Sequence, residues 1–420
     1  MTETGWFRPR KYRHFDTPVC EKFASRVMQP LFVSEHSFSP LIHYEKVEKR
    51  YKYCEKLKKK TIQPKLRPIM YASHRDAAIL TFYTDSLNET LERQYSDLHI
   101  SQNVIAYRSL GKANFDFAAE ALQFATQNSP VTILAFDVRG FFDNLDHRLL
   151  KSRLKRVLGK GELSDDWYKL FRYTTNFHFV EIDDLKANPT FAARLSERTR
   201  DPIASVRELK AEGIPIRGNP NPGKGIPQGT PISAALSNLY MLDFDVAAES
   251  HCHRIGALYR RYSDDILIIC RPECAVDAEA MIIELITAEQ LEINPDKIER
   301  SSFEVGGTGT SGGRVAQYLG FNMAESGASI RPSSLSRQWR KMRRAVKRTR
   351  KIAESEVAAG RADRAWTKKL RRRFTSLKFR NFSSYARRSA RAFGPGERIS
   401  NQIRRFERAV ASELESLRDI

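Results

Sequence analysis

The sequence predicts an α+β fold with a basic, helical C-terminal segment, and three patterns carry that expectation. The run 131–138 (VTILAFDV) is apolar and β-rich, with one charge, Asp137, near its end. In Tyr259-Arg260-Arg261-Tyr262-Ser263-Asp264-Asp265-Ile266-Leu267-Ile268-Ile269-Cys270, two apolar or aromatic runs flank a polar centre, which is the pattern of a β-hairpin. From about Leu335 the composition shifts to long basic helices, among them Arg340-Lys341-Met342-Arg343-Arg344 and Lys368-Lys369-Leu370-Arg371-Arg372-Arg373.

A chain of 420 residues has room for two or three domains with proper cores, and 41% hydrophobic residues is ordinary for a globular protein. Its formal charge of +21, from 71 Lys and Arg against 50 Asp and Glu, points to a polyanionic partner, nucleic acid before a membrane surface. No stretch reaches the roughly 18 consecutive apolar residues of a membrane-spanning helix. The polar N-terminus lacks the apolar core of a secretion signal, so a cytoplasmic location is expected. The five cysteines (Cys20, Cys54, Cys252, Cys270, Cys274) are odd in number and scattered, as befits reduced thiols. His251-Cys252-His253 and the Cys270/Cys274 pair bracket the hairpin, but their spacing fits no standard zinc module.

In chain order, the charge-dense run Glu45 to Lys60 (EKVEKRYKYCEKLKKK) is expected to be helical. Thr61 to Met70 holds two prolines that exclude a helix interior, so it reads as a strand or hairpin carrying cations. His74 to Glu92 has the apolar spacing of a buried helix, and an amphipathic helix running to about Gln127 follows the basic turn 106–112. After the 131–138 strand come the aromatic pair Phe141-Phe142 and a basic helix from His147 to Val157. Residues 173 to 225 are less regular and end in a Gly- and Pro-rich loop, which opens onto Ile226-Pro227-Gln228-Gly229-Thr230 and a helix from Ala234 to Asp245. Beyond the hairpin lie a helix from Ala275 to Ala288, a turn bearing Lys297, a glycine-rich loop from Gly306 to Gly313, and a short strand from Val315 to Phe321.

The acids are what bear on chemistry. Two-residue hairpin turns favour Gly or Asn, and Ser and Asp stand there instead. Adjacent carboxylates repel unless a cation sits between them and a partner. A carboxylate closing an otherwise buried strand needs a metal or an arginine as well. Solvated acids at a hairpin tip, and a buried ion pair for Asp137, are the plain alternatives.

An Asp-ended strand with its aromatic pair, a Pro-Gln-Gly loop, a Tyr-x-Asp-Asp hairpin, a Lys-bearing turn and a Leu-Gly strand occur here in one order. That set resembles the reverse transcriptases over about residues 58 to 325. The resemblance implies a right-hand polymerase: an N-terminal segment and fingers over 1–130, an antiparallel-sheet palm over 131–325 with an insertion at about 173–225, and an α-helical thumb over 326–420. It implies catalytic Asp137, Asp264 and Asp265, which with the Val138 carbonyl would bind two Mg²⁺ ions, Mn²⁺ being a possible substitute. It places Arg67, Arg108, Phe142, Gln228 and Lys297 around the nucleotide, with Lys65 a further candidate, Phe142 excluding a 2′-hydroxyl and Lys297 protonating pyrophosphate. Gly229, Tyr262, Leu319 and Gly320 fall to primer and template.

The implied partners are an RNA template, dNTPs and a DNA product, with no membrane; the oligomeric state is left open. No RNase H, protease, integrase or maturase-sized region follows the thumb, and Asn322-Met323-Ala324-Glu325 stands where retron enzymes usually carry Val-Thr-Gly. The compact build is most similar to the bacterial defence-associated reverse transcriptases, including abortive-infection relatives, which commonly copy a partner noncoding RNA. Template-independent or protein-primed synthesis on the same site is one alternative, and nucleotide incorporation surviving nuclease treatment would favour it. A non-catalytic RNA-binding module is the other, and Mg²⁺-dependent dNTP incorporation would exclude it.

Overall fold

Where the charge density of Glu45 to Lys60 suggests a helix, the backbone forms strand β1 (Leu41–Cys54), paired antiparallel with β2 (Lys59–Tyr71). Tyr and Val are strong strand formers, and a 13-residue partner offers a full ladder, which outweighs the modest helix preference of Lys and Glu. Pro64 and Pro68 share sequence parity with Met70, whose N–H points away from β1 and donates to the Gln228 carbonyl at 2.8 Å. Neither proline therefore breaks a ladder bond, and β2 can be an edge strand. The computed structural model describes residues 5–54, 59–197, 199–304, 315–375, 379–394 and 396–418. The Gly306 to Gly313 loop lies outside them.

The 131–138 run forms β3 (Val131–Asp137). Within the irregular 173–225 region, β4 (His178–Glu181) pairs parallel with β1, and β5 (Arg217–Gly218) pairs with β4, giving a sheet in the order β2-β1-β4-β5. The rest of that region adds short helices whose Leu185, Phe191 and Leu209 pack with Phe15 and Ile42 in a small separate core.

The central sheet is antiparallel in the order β6-β7-β3-β8, with β6 (Leu258–Tyr262), β7 (Asp265–Cys270) and β8 (Glu299–Phe303). Both faces are covered. Leu134 and its cross-strand partner Ile268 enter one core with the helices His74–Asp97 and Ser233–Tyr240, while Ile133 and its partner Ile269 enter another with the helix Asn114–Gln127. Burial on both faces explains why the strand reads as a continuous apolar run. The helix expected from Ala234 to Asp245 is broken at Met241 into Ser233–Tyr240 and Leu242–Arg254.

The strand expected from Val315 to Phe321 is in fact a hairpin. Strands β9 (Ala316–Tyr318) and β10 (Phe321–Ala324) flank a two-residue turn, and β11 (Gly327–Ile330) completes a three-stranded sheet. Leu319 (φ 46°) and Gly320 (φ 93°) both lie in the left-handed region, as a type I′ turn demands, and this turn was not read from the sequence. The helix Pro332–Ala358 follows, with Lys368–Phe374, Phe382–Ala392 and Glu397–Glu415 after it. Gln402 of the last helix clasps the edge of β11, its side-chain oxygen accepting the Ile330 N–H at 2.8 Å. Among the described residues no helix is long and apolar enough to cross a membrane.

Candidate active site

Register brings the acids together. Asp137, the last residue of β3, lies opposite Asp265, the first of β7, while Asp264 sits in the two-residue turn between β6 and β7. The Val138 N–H donates to the Asp264 carbonyl at 3.1 Å and fastens the turn to the strand end. The Asp137 carbonyl accepts the Asn294 N–H at 2.9 Å, so the next segment runs alongside and delivers Lys297 from the short turn Pro295–Lys297. There the Lys297 ammonium forms an ion pair with the Asp137 carboxylate.

The charges are poorly balanced. Burial first, then Asp264 and Asp137, push the Asp265 carboxyl up to about 6, with Lys297 and Arg331 acting against them. Asp264 is raised mainly by burial and then by Asp137, while a hydrogen bond from Ser263 and the charge of Lys65 oppose the rise. Carboxylate oxygens crowded in this way are the hard donors that Mg²⁺ or Mn²⁺ takes, and a divalent cation would reverse the repulsion. As the side chains stand, with Lys297 on Asp137, no three His, Cys, Asp or Glu groups among the described residues are gathered to hold an ion.

Beneath the turn lies a polar network that the sequence reading missed. Arg261, wholly buried, forms an ion pair with equally buried Asp245 through two bonds of 2.7 and 2.6 Å. It also donates to Asn238 Oδ1 and to the Ser263 carbonyl, both at 3.2 Å. The Tyr259 hydroxyl donates to Asp245 at 2.6 Å, and Asn238 Nδ2 donates to the Ala106 carbonyl at 3.0 Å. A charged residue inside an apolar strand was the available signal, but its partner lies on another helix. Tyr262 is half-buried and pairs with Asp265 across the turn.

On the other side of the site, Gly229 (φ 116°) is required, because a β-carbon there would fall 2.7 Å from the Met70 carbonyl. The close approach this glycine permits is thus to the β2 backbone. Phe142 is half-buried, packs edge-on against Phe141 at 5.4 Å, and accepts the Ile226 N–H at its carbonyl, which joins the aromatic pair to the Pro-Gln-Gly loop. Lys65 and Arg67 lie on β2, with Arg67 3.8 Å from Glu48 on β1. Arg331, another residue the sequence reading passed over, donates its N–H to the Gly320 carbonyl at 3.0 Å, next to the Leu319-Gly320 turn.

Arg108 does not fit the role expected of it. Its guanidinium is buried, doubly bonded to Glu92 at 2.7 and 2.5 Å, and donates to the Ser101 and Val104 carbonyls. Its donors are spent inside the protein and are not available to a triphosphate. Arg108→Ala should therefore lower thermal stability by about 1–3 kcal/mol while leaving the nucleotide KM unchanged. A selective rise in KM would restore the expected role. The Cys252 and Cys270 thiols are buried, and burial pushes them up to about 12 and about 11.

A family model described as reverse transcriptase (RNA-dependent DNA polymerase) matches residues 57–323. No curated protein sequence matches the chain. Among solved structures, telomerase from Candida albicans in complex with a TWJ fragment of telomeric RNA is similar, with 11% identity, 94% of this chain and 66% of that one covered, and a TM-score of 0.48. Apo telomerase from Candida tropicalis truncated from the C-terminal domain is also similar, with 10% identity, 70% of this chain and 56% of that one covered, and a TM-score of 0.45. The chain thus spans between about half and two thirds of the length of these structures.

Proposed function

Since the chain belongs to the reverse transcriptase family, matched over residues 57–323, we propose that it copies RNA into DNA by phosphoryl transfer at Asp137, Asp264 and Asp265. The observation that carries this reading is the pairing of Asp137 with Asp265 beside the turn that holds Asp264. Attack of a primer 3′-hydroxyl on a nucleoside triphosphate, with loss of pyrophosphate, calls for charge stabilisation and in-line positioning and needs little covalent help. The three carboxylates and the Val138 carbonyl would hold two Mg²⁺ ions, with Mn²⁺ a substitute. When bound, these ions neutralise charge on the attacking and leaving oxygens.

The chain's own groups do the rest. Arg67 and Lys65 on the β1–β2 hairpin bind the triphosphate, a guanidinium being well matched to phosphate oxygens. Gln228 and Gly229 line the nucleotide and template side, and Lys297 gives a proton to the leaving pyrophosphate. Tyr262 and the Leu319-Gly320 turn hold the primer end. Residues 1–130 act as N-terminal segment and fingers, 131–325 as palm with the 173–225 insertion, and 326–420 as thumb. The template is a dedicated noncoding RNA and the setting is antiphage defence, a reading supported by the resemblance of the palm and basic helical tail to the defence-associated reverse transcriptases and by the basic charge.

The test is direct. Purified protein given Mg²⁺, dNTPs and a primed RNA template should make DNA, and sequencing the nucleic acid that co-purifies with it should return one structured RNA species. A random RNA population would remove the dedicated-template reading. Phe142→Ala should increase ribonucleotide incorporation by about 10- to 100-fold, measured as the ratio of kcat/KM for dNTP and rNTP. An unchanged ratio would remove the steric role of the ring.

A further inference from the structure

We propose that Tyr107 is a positioning residue for DNA synthesis, its hydroxyl holding Ser263 and thereby the turn that carries Asp264. This rests on the polymerase reading above. The Tyr107 hydroxyl donates to Ser263 Oγ at 3.1 Å, bridging two loops 156 residues apart in sequence. Ser263 is 3% exposed, so its hydroxyl has little water to turn to. Once Ser263 Oγ has accepted from Tyr107, its own hydrogen is left for an acceptor, and the neighbouring Asp264 carboxyl is the group that a hydrogen bond from Ser263 draws downward against the effect of burial. Hydroxyls linked in series polarise one another, so the outer bond orients the inner one.

The backbone supports the same reading. Tyr107 (φ 63°) and Ser263 (φ 62°) both occupy the left-handed region. For a residue with a β-carbon this costs about 1–2 kcal/mol, and such strain persists where the surroundings over-determine it. Gly would serve the turn at position 263 without strain, but it has no hydroxyl to receive Tyr107. The tyrosine is held on both sides. Ile105 N–H donates to the Arg261 carbonyl at 3.1 Å, Asn238 binds the Ala106 carbonyl, and Arg108 ties back to Val104. Asn238 and the Ser263 carbonyl are both held by Arg261, so one buried guanidinium supports both ends of the hydroxyl bridge. Neither Tyr107 nor Ser263 has another part in the proposed chemistry.

Primer extension on a homopolymeric RNA template with Mg²⁺ tests the proposal, using Tyr107→Phe, Ser263→Ala, their double variant, and Ser263→Gly. Tyr107→Phe and Ser263→Ala should each lower kcat about tenfold while dNTP KM stays within about twofold. The double variant should be no slower than the slower single, because both changes break one linkage. Ser263→Gly should raise the melting temperature by relieving strain and still lose kcat as Ser263→Ala does, a divergence that a merely structural serine would not produce. A wild-type kcat in Tyr107→Phe, or losses that multiply in the double variant, would overturn the proposal. Unsubstituted protein and Asp264→Asn are the references. If synthesis is lost in Asp264→Asn but untouched in Tyr107→Phe, the polymerase reading stands and the positioning role falls. No synthesis by the unsubstituted protein, on the homopolymer or on the RNA that co-purifies with it, removes both.

Discussion

Replacing Asp264 or Asp265 by Asn should reduce Mg²⁺-dependent DNA synthesis by about a thousandfold or more, read as primer extended per unit time under saturating nucleotide. Asn keeps the shape of the side chain and removes the charge on which cation binding depends. The same substitutions should leave melting temperature unchanged or raise it. In the folded protein both carboxyls are pushed upward, first by burial and then by neighbouring carboxylates (Asp137 for Asp264, Asp264 and Asp137 for Asp265), so at neutral pH their ionised forms cost stability that an amide does not. Activity and stability should therefore move in opposite directions. Synthesis within tenfold of the unsubstituted protein in either variant would dismiss the carboxylates as the catalytic group.

The second large effect concerns Asp245 and Arg261, both 0% exposed. Asp245→Leu leaves a buried guanidinium without its counter-charge and should cost about 3–5 kcal/mol in chemical denaturation. The double variant Asp245→Leu, Arg261→Met should recover most of that stability, since an apolar pair of similar volume is often neutral. DNA synthesis should not recover with it, because methionine cannot hold the Ser263 carbonyl or Asn238 as Arg261 does. Activity restored along with stability would mean that the pair serves the fold alone.

What could be read in the sequence follows from the range of the forces involved. The 131–137 strand and the 258–270 hairpin are visible because side chains facing two cores make a local apolar pattern. The acids were visible because three carboxylates break that pattern. The β1 strand was misread because Lys and Glu mimic an exposed helix, whereas pairing with β2 decides the outcome and no local window contains it. Arg108 was misread for a related reason: a basic turn looks available until Glu92, 16 residues earlier, is seen to claim it. The Arg261–Asp245 pair and the Tyr107–Ser263 bond depend on long-range contacts and left only two oddities, an arginine inside a strand and a serine where glycine is expected.

The prolines of β2 have a further consequence, for self-association. An exposed strand with free N–H and carbonyl groups is a template for another chain, and long basic hairpins concentrated on nucleic acid would meet often. Pro64 and Pro68 remove donors from the outward edge of β2, while nearer its base the Met70 N–H is already taken by Gln228. Of the outward positions from 64 to 70 only Leu66 keeps a donor for strand addition, two others being prolines and the fourth taken by the Pro-Gln-Gly loop. A second copy crowded onto the same polyanion would find few donors with which to extend the sheet at this edge.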